Sequence, residues 1–243
     1  MTIDEAPLPE TRRDSTNPPI FNIPGIVLAT ILLLAAVHAL RVFVLGDIAD
    51  ANVVLDFAFI PGCYVTDCVA GFGRSAGAGL WSPLTHALLH GDWMHLGLNT
   101  IWLVAFGTPV ARRLGALRYT LFSVVGALAG AGLFDLVNPT LLEPVVGASG
   151  VVSALMGGAC RFAFGSLGRS AVAPAAAPRL SIGQALADRT ILIFIIVFFV
   201  TNLATASSFG SYLAGGATIA WEAHLGGFIF GFLGFALFDQ RAR

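Results

Sequence analysis

Residues 145–164, VVGASGVVSALMGGACRFAF, decide how this chain is read. A serine stands among small residues at the head of an apolar run, and an arginine stands near its end. From Gly150 to Phe164 the run has 15 residues. At a rise of about 1.5 Å per residue it covers about 22 Å of a hydrocarbon core about 30 Å thick. Such a helix does not cross the core. With Arg161 held near one interface, Ser149 starts the helix well below the opposite surface. Non-helical backbone at that depth is tolerated only inside protein or against a water-filled cavity. The preceding VNPTLLEPVVGA, with Pro139 and Pro144, reads as such a re-entrant approach. Ser149 then sits at a helix N-terminus, where free N–H groups and the helix dipole favour an anion, as an oxyanion site requires. A plainer reading stands beside this one. Ser149, Ser153 and Gly157 form a small i, i+4 stripe of the kind that packs membrane helices together.

The whole chain supports a membrane setting. Of its 243 residues 56% are hydrophobic and 11% charged, against roughly 25% charged in soluble domains. Six stretches suit membrane helices: Gly25–Leu45, Met94–Val110, Leu117–Val137, Ser149–Phe164, Thr190–Ala206 and Thr218–Phe238. The fold class expected is an all-α membrane protein with six transmembrane helices. All 13 basic side chains are arginines. Arg12, Arg13, Arg112, Arg113, Arg118, Arg161, Arg169, Arg179, Arg189, Arg241 and Arg243 gather on one side, which the positive-inside rule makes cytoplasmic, with both termini. The other side carries Asp47, Asp50, Asp56, Asp67 and Glu143, with only Arg41 and Arg74 as bases. No basic patch marks a nucleic-acid partner.

Residues 1–24, with five prolines and no apolar run, read as a disordered cytoplasmic tail and not as a cleavable signal peptide. Residues 25–243 form one domain. Within it, the segment 46–93 is too long for a turn and too apolar to float free in water, so it packs against the bundle or the membrane surface. Its GCYVTDC places Cys63 and Cys68 where an oxidising compartment would allow a disulfide. Cys160, in the fourth span, suits a small packing residue. The AVAPAAAPRL stretch (171–180) reads as an exposed loop.

A serine hydroxyl needs a base to act as a nucleophile. Among five histidines, His224 in WEAHLGGFIFGFLGF lies in a late apolar segment, and ionisable groups there are functional by default. Gly227 and Gly231 give that helix a bare face, which can approach the small residues around Gly147 and Gly150 and bring His224 beside Ser149. No acid is placed to orient the imidazole, because Glu222 lies two residues away on the far side of the helix. A Ser–His dyad is the catalytic arrangement that follows. In HLGLN, His95 and Asn99 share a helical face and offer N–H donors to an oxyanion, though the pair equally suits an interhelical clamp. His86 and His90 are another i, i+4 pair. They read as ties between the loop and the second span, or, with Asp92 and His95, as metal ligands.

Taken together, HALLHGDWMHLGLNT, GASGVVSALMGG and AHLGGFIFG resemble, in order, the signature segments of the rhomboid intramembrane serine proteases. The resemblance runs from about Trp81 to Gly234. It implies a six-helix bundle that cuts single-pass membrane-protein substrates in the lipid bilayer without a cofactor or metal. Ser149 is implied as nucleophile and His224 as base, with His95, Asn99 and the Ser149 backbone N–H holding the oxyanion. A bacterial or archaeal cell membrane is the expected location. Three positions depart from the family pattern. Trp81-Ser82 stands where Trp-Arg is common, FGTPVARRLG lacks an acid near the end of the second span, and Ser153 replaces an aromatic that often stacks on the base. A transporter would also place short, glycine-broken helices at depth, but the chain shows no inverted repeat. A non-catalytic scaffold of the same bundle would differ only in whether Ser149 reacts.

Overall fold

The computed structural model describes residues 22–164, 176–205 and 220–240. The expectations for residues 1–21 of the tail, for Arg169, for residues 171–175 of the AVAPAAAPRL loop and for Arg241 and Arg243 fall outside the described residues. Helix α1 (Gly25–Phe43) is followed by three short helices, α2 (Asp47–Phe57), α3 (Cys68–Phe72) and α4 (Ala78–Thr85). Then α5 (Trp93–Trp102) runs through a π-helical turn at Leu103–Gly107 into α6 (Thr108–Leu114), and Gly115, at φ 78°, breaks the run before α7 (Ala116–Val137). Among the described residues the remaining α-helices are α8 (Ser149–Ala159), α9 (Ile182–Ala187), α10 (Arg189–Thr205) and α11 (Trp221–Phe238). Among the described residues α1, α7 and α11 are long and apolar enough to cross a membrane, and α8 and α10 are shorter apolar helices.

Helices α7, α8 and α11 form the centre, and glycine is the reason they do. A Cβ on Gly227 of α11 would stand 2.1 Å from the Gly150 carbonyl oxygen of α8, and one on Gly231 would stand 2.0 Å from that of Ala154. From the other side, a Cβ on Gly157 would meet the Phe228 carbonyl oxygen at 2.4 Å. Helix α7 joins through Gly126, whose Cβ would meet Ala154 at 2.6 Å, and Gly130, whose Cβ would meet the Ala223 carbonyl at 2.8 Å. Backbones this close gain dispersion contacts, the principal attraction left to helices in a solvent as apolar as themselves. The contact row on α8 is Gly150, Ala154 and Gly157, one residue round from the Ser149–Ser153 stripe. Below it an aromatic layer fills the end of the bundle, with Phe162 stacked on Phe235 at 5.2 Å and Phe122 edge-on to Phe235 at 5.8 Å.

Arg161, just past the end of α8, faces into the bundle. It is buried, donating to the Phe232 carbonyl at 2.6 Å and twice to that of Leu180. The guanidinium, reaching across to α11 and to residue 180, ties that end of α8 down. A second buried arginine, Arg113 of α6, pairs with Asp239 at 2.8 Å just past α11. These arginines are therefore bolts of the bundle as well as charges.

The segment 46–93 packs onto the bundle. Phe59 forms an antiparallel bridge with Val145, and Gly62 N–H donates to Leu141 at 2.8 Å, so the segment grips the stretch leading into α8. Arg41 at the end of α1 pairs with Asp50 at 2.6 Å and donates to the His90 carbonyl at 2.8 Å. Cys63 and Cys68 are joined in a disulfide, and Cys160 is a buried free thiol.

Candidate active site

Two histidines build the turn into α8. Gly147 N–H donates to the His86 carbonyl at 3.0 Å, and Ala148 N–H donates to His90 Nε2 at 3.4 Å. The His86 ring is spent on the Ser82 carbonyl at 3.2 Å. Burial pushes the His86 imidazole down to about 4 and that of His90 to about 3, so both stay neutral, as an acceptor nitrogen on His90 requires. This pair ties its loop to the approach to Ser149, and the His90 ring lies edge-on to that of His95 in α5 at 5.1 Å. Among the described residues no three His, Cys, Asp or Glu side chains are placed to share a metal ion.

Gly147 does not pack one helix on another. It precedes α8 with φ 125°, where a side chain is strained, and its Cβ would stand 2.7 Å from His95 Nε2 and 3.7 Å from Ser149 Oγ. The absent side chain leaves one small space bordered by the His95 ring and the Ser149 hydroxyl. His95 is held by Asp92, which caps α5 by accepting from His95 N–H at 2.8 Å. Asn99, one turn on, is buried and donates from Nδ2 to the His95 carbonyl at 3.0 Å.

Helix α8 gives the serine its setting. Every residue from Gly150 to Ala159 is buried, and Ser149 alone in this helix keeps partial exposure. Gly150, its neighbour, meets both Ala223 and Gly227 of α11, which flank His224 by one and three positions. His224 is half-buried, and its Nδ1 lies 2.7 Å from Asn202 Oδ1 of α10. The Asn202 amide is oriented in turn, because Nδ2 donates to the Phe198 carbonyl at 2.8 Å. Glu222 points elsewhere, accepting from Asn138 Nδ2 at 3.1 Å.

Sequence reasoning missed Asn202, although the signal was present as a carboxamide in the apolar run ILIFIIVFFVTNLA, where polar groups are costly. It also missed how Trp81-Ser82 is completed. Arg74, eight residues earlier, is buried and donates to Ser82 Oγ at 2.9 Å and to the Ala58 carbonyl at 3.1 Å. Trp81 Nε1 donates to the Asp56 carbonyl at 2.9 Å.

A family model described as the Rhomboid domain matches residues 77–240. Human Rhomboid-related protein 3 is 38% identical over 79 residues, covering 32% of this chain and 19% of its own length. Rhomboid protease GlpG of Serratia proteamaculans (strain 568) is 36% identical over 78 residues, 32% of this chain and 27% of its own. The protein of the same name from Enterobacter sp. (strain 638) is 30% identical over 127 residues, 52% of this chain and 41% of its own. The chain thus spans less than half the length of these curated relatives. The domain match takes in the end of the loop from residue 77, the turn into α8 and the histidine of α11, and the chain belongs to the rhomboid family of integral membrane proteins.

Proposed function

We propose that the protein is an intramembrane serine endopeptidase that cleaves the transmembrane segments of membrane-protein substrates. One observation carries the reading: on a helix buried along the rest of its length, Ser149 alone keeps access, at the N-terminus, level with the turn of α11 that bears His224. The relatives named rhomboid protease support the same class of chemistry.

In this mechanism the Ser149 hydroxyl attacks the scissile carbonyl as His224 takes its proton, and His224 then returns the proton to the leaving amine. Water hydrolyses the acyl-enzyme. The tetrahedral oxyanion forms at the α8 N-terminus, beside the space that Gly147 leaves open, where the Ser149 backbone N–H, the His95 ring and the Asn99 carboxamide supply donors. A substrate helix must unwind there to present its carbonyl, so single-pass substrates with helix-breaking residues near the cut suit the site. In the six-span arrangement both termini are cytoplasmic.

The test is labelling of purified protein with a fluorophosphonate, run beside cleavage of a model transmembrane substrate. Both vanish in Ser149→Ala, and cleavage vanishes in His224→Ala. Cleavage that persists in Ser149→Ala overturns the proposal, and wild-type protein that neither labels nor cleaves leaves a scaffold role for the bundle.

A further inference from the structure

Among the described residues no aromatic ring lies against the His224 imidazole, and the position one turn after Ser149 is the small, buried Ser153. A half-buried imidazole can turn about its side-chain bonds, and a general base must present one particular nitrogen. Helix α10 supplies the restraint. It runs antiparallel to α11 and meets it in two rungs one turn apart: Asn202 against His224 at 2.7 Å, and Phe198 stacked on Phe228 at 4.5 Å between centroids.

Resting on the dyad reading, we infer that Asn202 is the positioning residue of the base, fixing both the rotamer and the tautomer of His224 from the neighbouring helix. The amide leaves little choice in the bond's direction. Asn202 Nδ2 faces the Phe198 carbonyl, which accepts only, so Nδ2 donates and Oδ1 is the atom turned to His224. Oδ1 in turn only accepts, so His224 Nδ1 carries the hydrogen. The unprotonated nitrogen is then Nε2, the one that must take the serine proton. A neutral carboxamide here does the orienting that an aspartate does in a triad, without burying a second charge in the membrane. It also makes the base dependent on α10: displacement of that helix withdraws Oδ1 and frees the ring.

Asn, Asp and Leu have nearly the same shape, and the three separate this role from packing. Asn202→Asp keeps an acceptor at Oδ1, and Asn202→Leu keeps only the volume. For Asn202→Leu the expected result is a fall of about 10- to 100-fold in kcat, with KM and Tm held and the fluorophosphonate labelling rate falling in step. Asn202→Asp, assayed at mildly alkaline pH, retains most of kcat and of the labelling rate. A packing role gives the reverse order, since leucine fills the site and a buried carboxylate disturbs it. The inference is overturned if Asn202→Leu keeps wild-type kcat, or if Asp and Leu lose activity equally. Loss of labelling at Ser149 in the wild-type protein would instead overturn the dyad reading itself, and the wild-type arm reports that separately.

Discussion

Gly227 and Gly150 meet backbone to backbone, with only 2.1 Å between the Gly150 carbonyl oxygen and the place a Cβ on Gly227 would occupy. That contact fixes how far α11 stands from α8. A methyl group at Gly227 has no side chain to push aside, so the helices must part. Gly227→Ala is expected to destabilise the fold by about 1–3 kcal/mol, the usual range for an overpacked core, and to lower cleavage beyond what the lost stability explains. Gly132 of α7 is the control, since a Cβ there meets nothing within 4 Å. Equal Tm values for Gly227→Ala and Gly132→Ala would show that the bare face is not what holds the helices together.

Gly147 makes a sharper test, because its side-chain space borders the chemistry. Alanine there is strained at φ 125° and presses on His95 Nε2 at 2.7 Å. Gly147→Ala should therefore lower cleavage roughly as loss of an oxyanion donor does, about 10²–10³-fold, with a modest change in Tm. If the variant unfolds at the wild-type temperature and cleaves at the wild-type rate, the space beside Ser149 has no part in the reaction.

Some of this was legible in the sequence and some was not, for physical reasons. That Ser149 opens a short apolar helix was legible, because the run from Gly150 to Phe164 is too short to cross a hydrocarbon core. The bare face of α11 follows from the spacing of Gly227 and Gly231 on a helix. Of the α8 residues that meet that face, Gly150 was legible and Ala154 was not. The stripe of Ser149, Ser153 and Gly157 has the right period, but Gly150, Ala154 and Gly157 make the contact, since rotation about the helix axis is set by three-body packing with α7. The fate of the arginines was also hidden. Charge counting assigns Arg161 and Arg113 to a face, and only tertiary structure reveals the carbonyls of Phe232 and Leu180 or the carboxylate of Asp239 that bury them. Asn202 sits 22 positions from His224, and no local pattern links residues so far apart on separate helices.

His86 and His90 predict an acid-sensitive fold. Both are buried in the loop before α5, and burial holds the first down to about 4 and the second to about 3 from 6.5. Above pH 6.5 both are neutral whether folded or not, and their contribution is constant. As pH falls below 6.5 the unfolded chain takes up protons that the folded chain refuses, so stability falls, by about 1.4 kcal/mol per pH unit for each histidine. The decline ends once the folded-state values are passed. Thermal unfolding measured from neutral pH down to pH 4 should show this slope, and His90→Gln should flatten it by one histidine's share, about 1.4 kcal/mol per pH unit, while lowering stability at neutral pH through loss of a well-placed acceptor for Ala148 N–H. An unchanged slope in that variant would mean the histidine is not held neutral by the fold.

Asp239 predicts an asymmetric outcome among three charges at the far end of the bundle. Its carboxylate is buried between Arg113 at 2.8 Å and Arg179 at 3.6 Å, and Arg113 also lies over the Phe162 ring at 4.6 Å. Removing the carboxylate leaves two guanidiniums sharing a buried site, whereas removing Arg113 leaves Asp239 still paired with Arg179. Breaking a buried pair from one side costs about 3–5 kcal/mol, and the cost should reach that range for Asp239→Leu and fall short of it for Arg113→Met. Because these residues join α6 to the end of α11, the Asp239 variant should also loosen the helix that carries His224 and lower cleavage. The double variant, with an apolar pair in place of the ions, should recover part of the stability. Reversal of the two single-variant Tm values would show that Arg113 is held chiefly by its other contacts and that Asp239 is not the hub of the cluster.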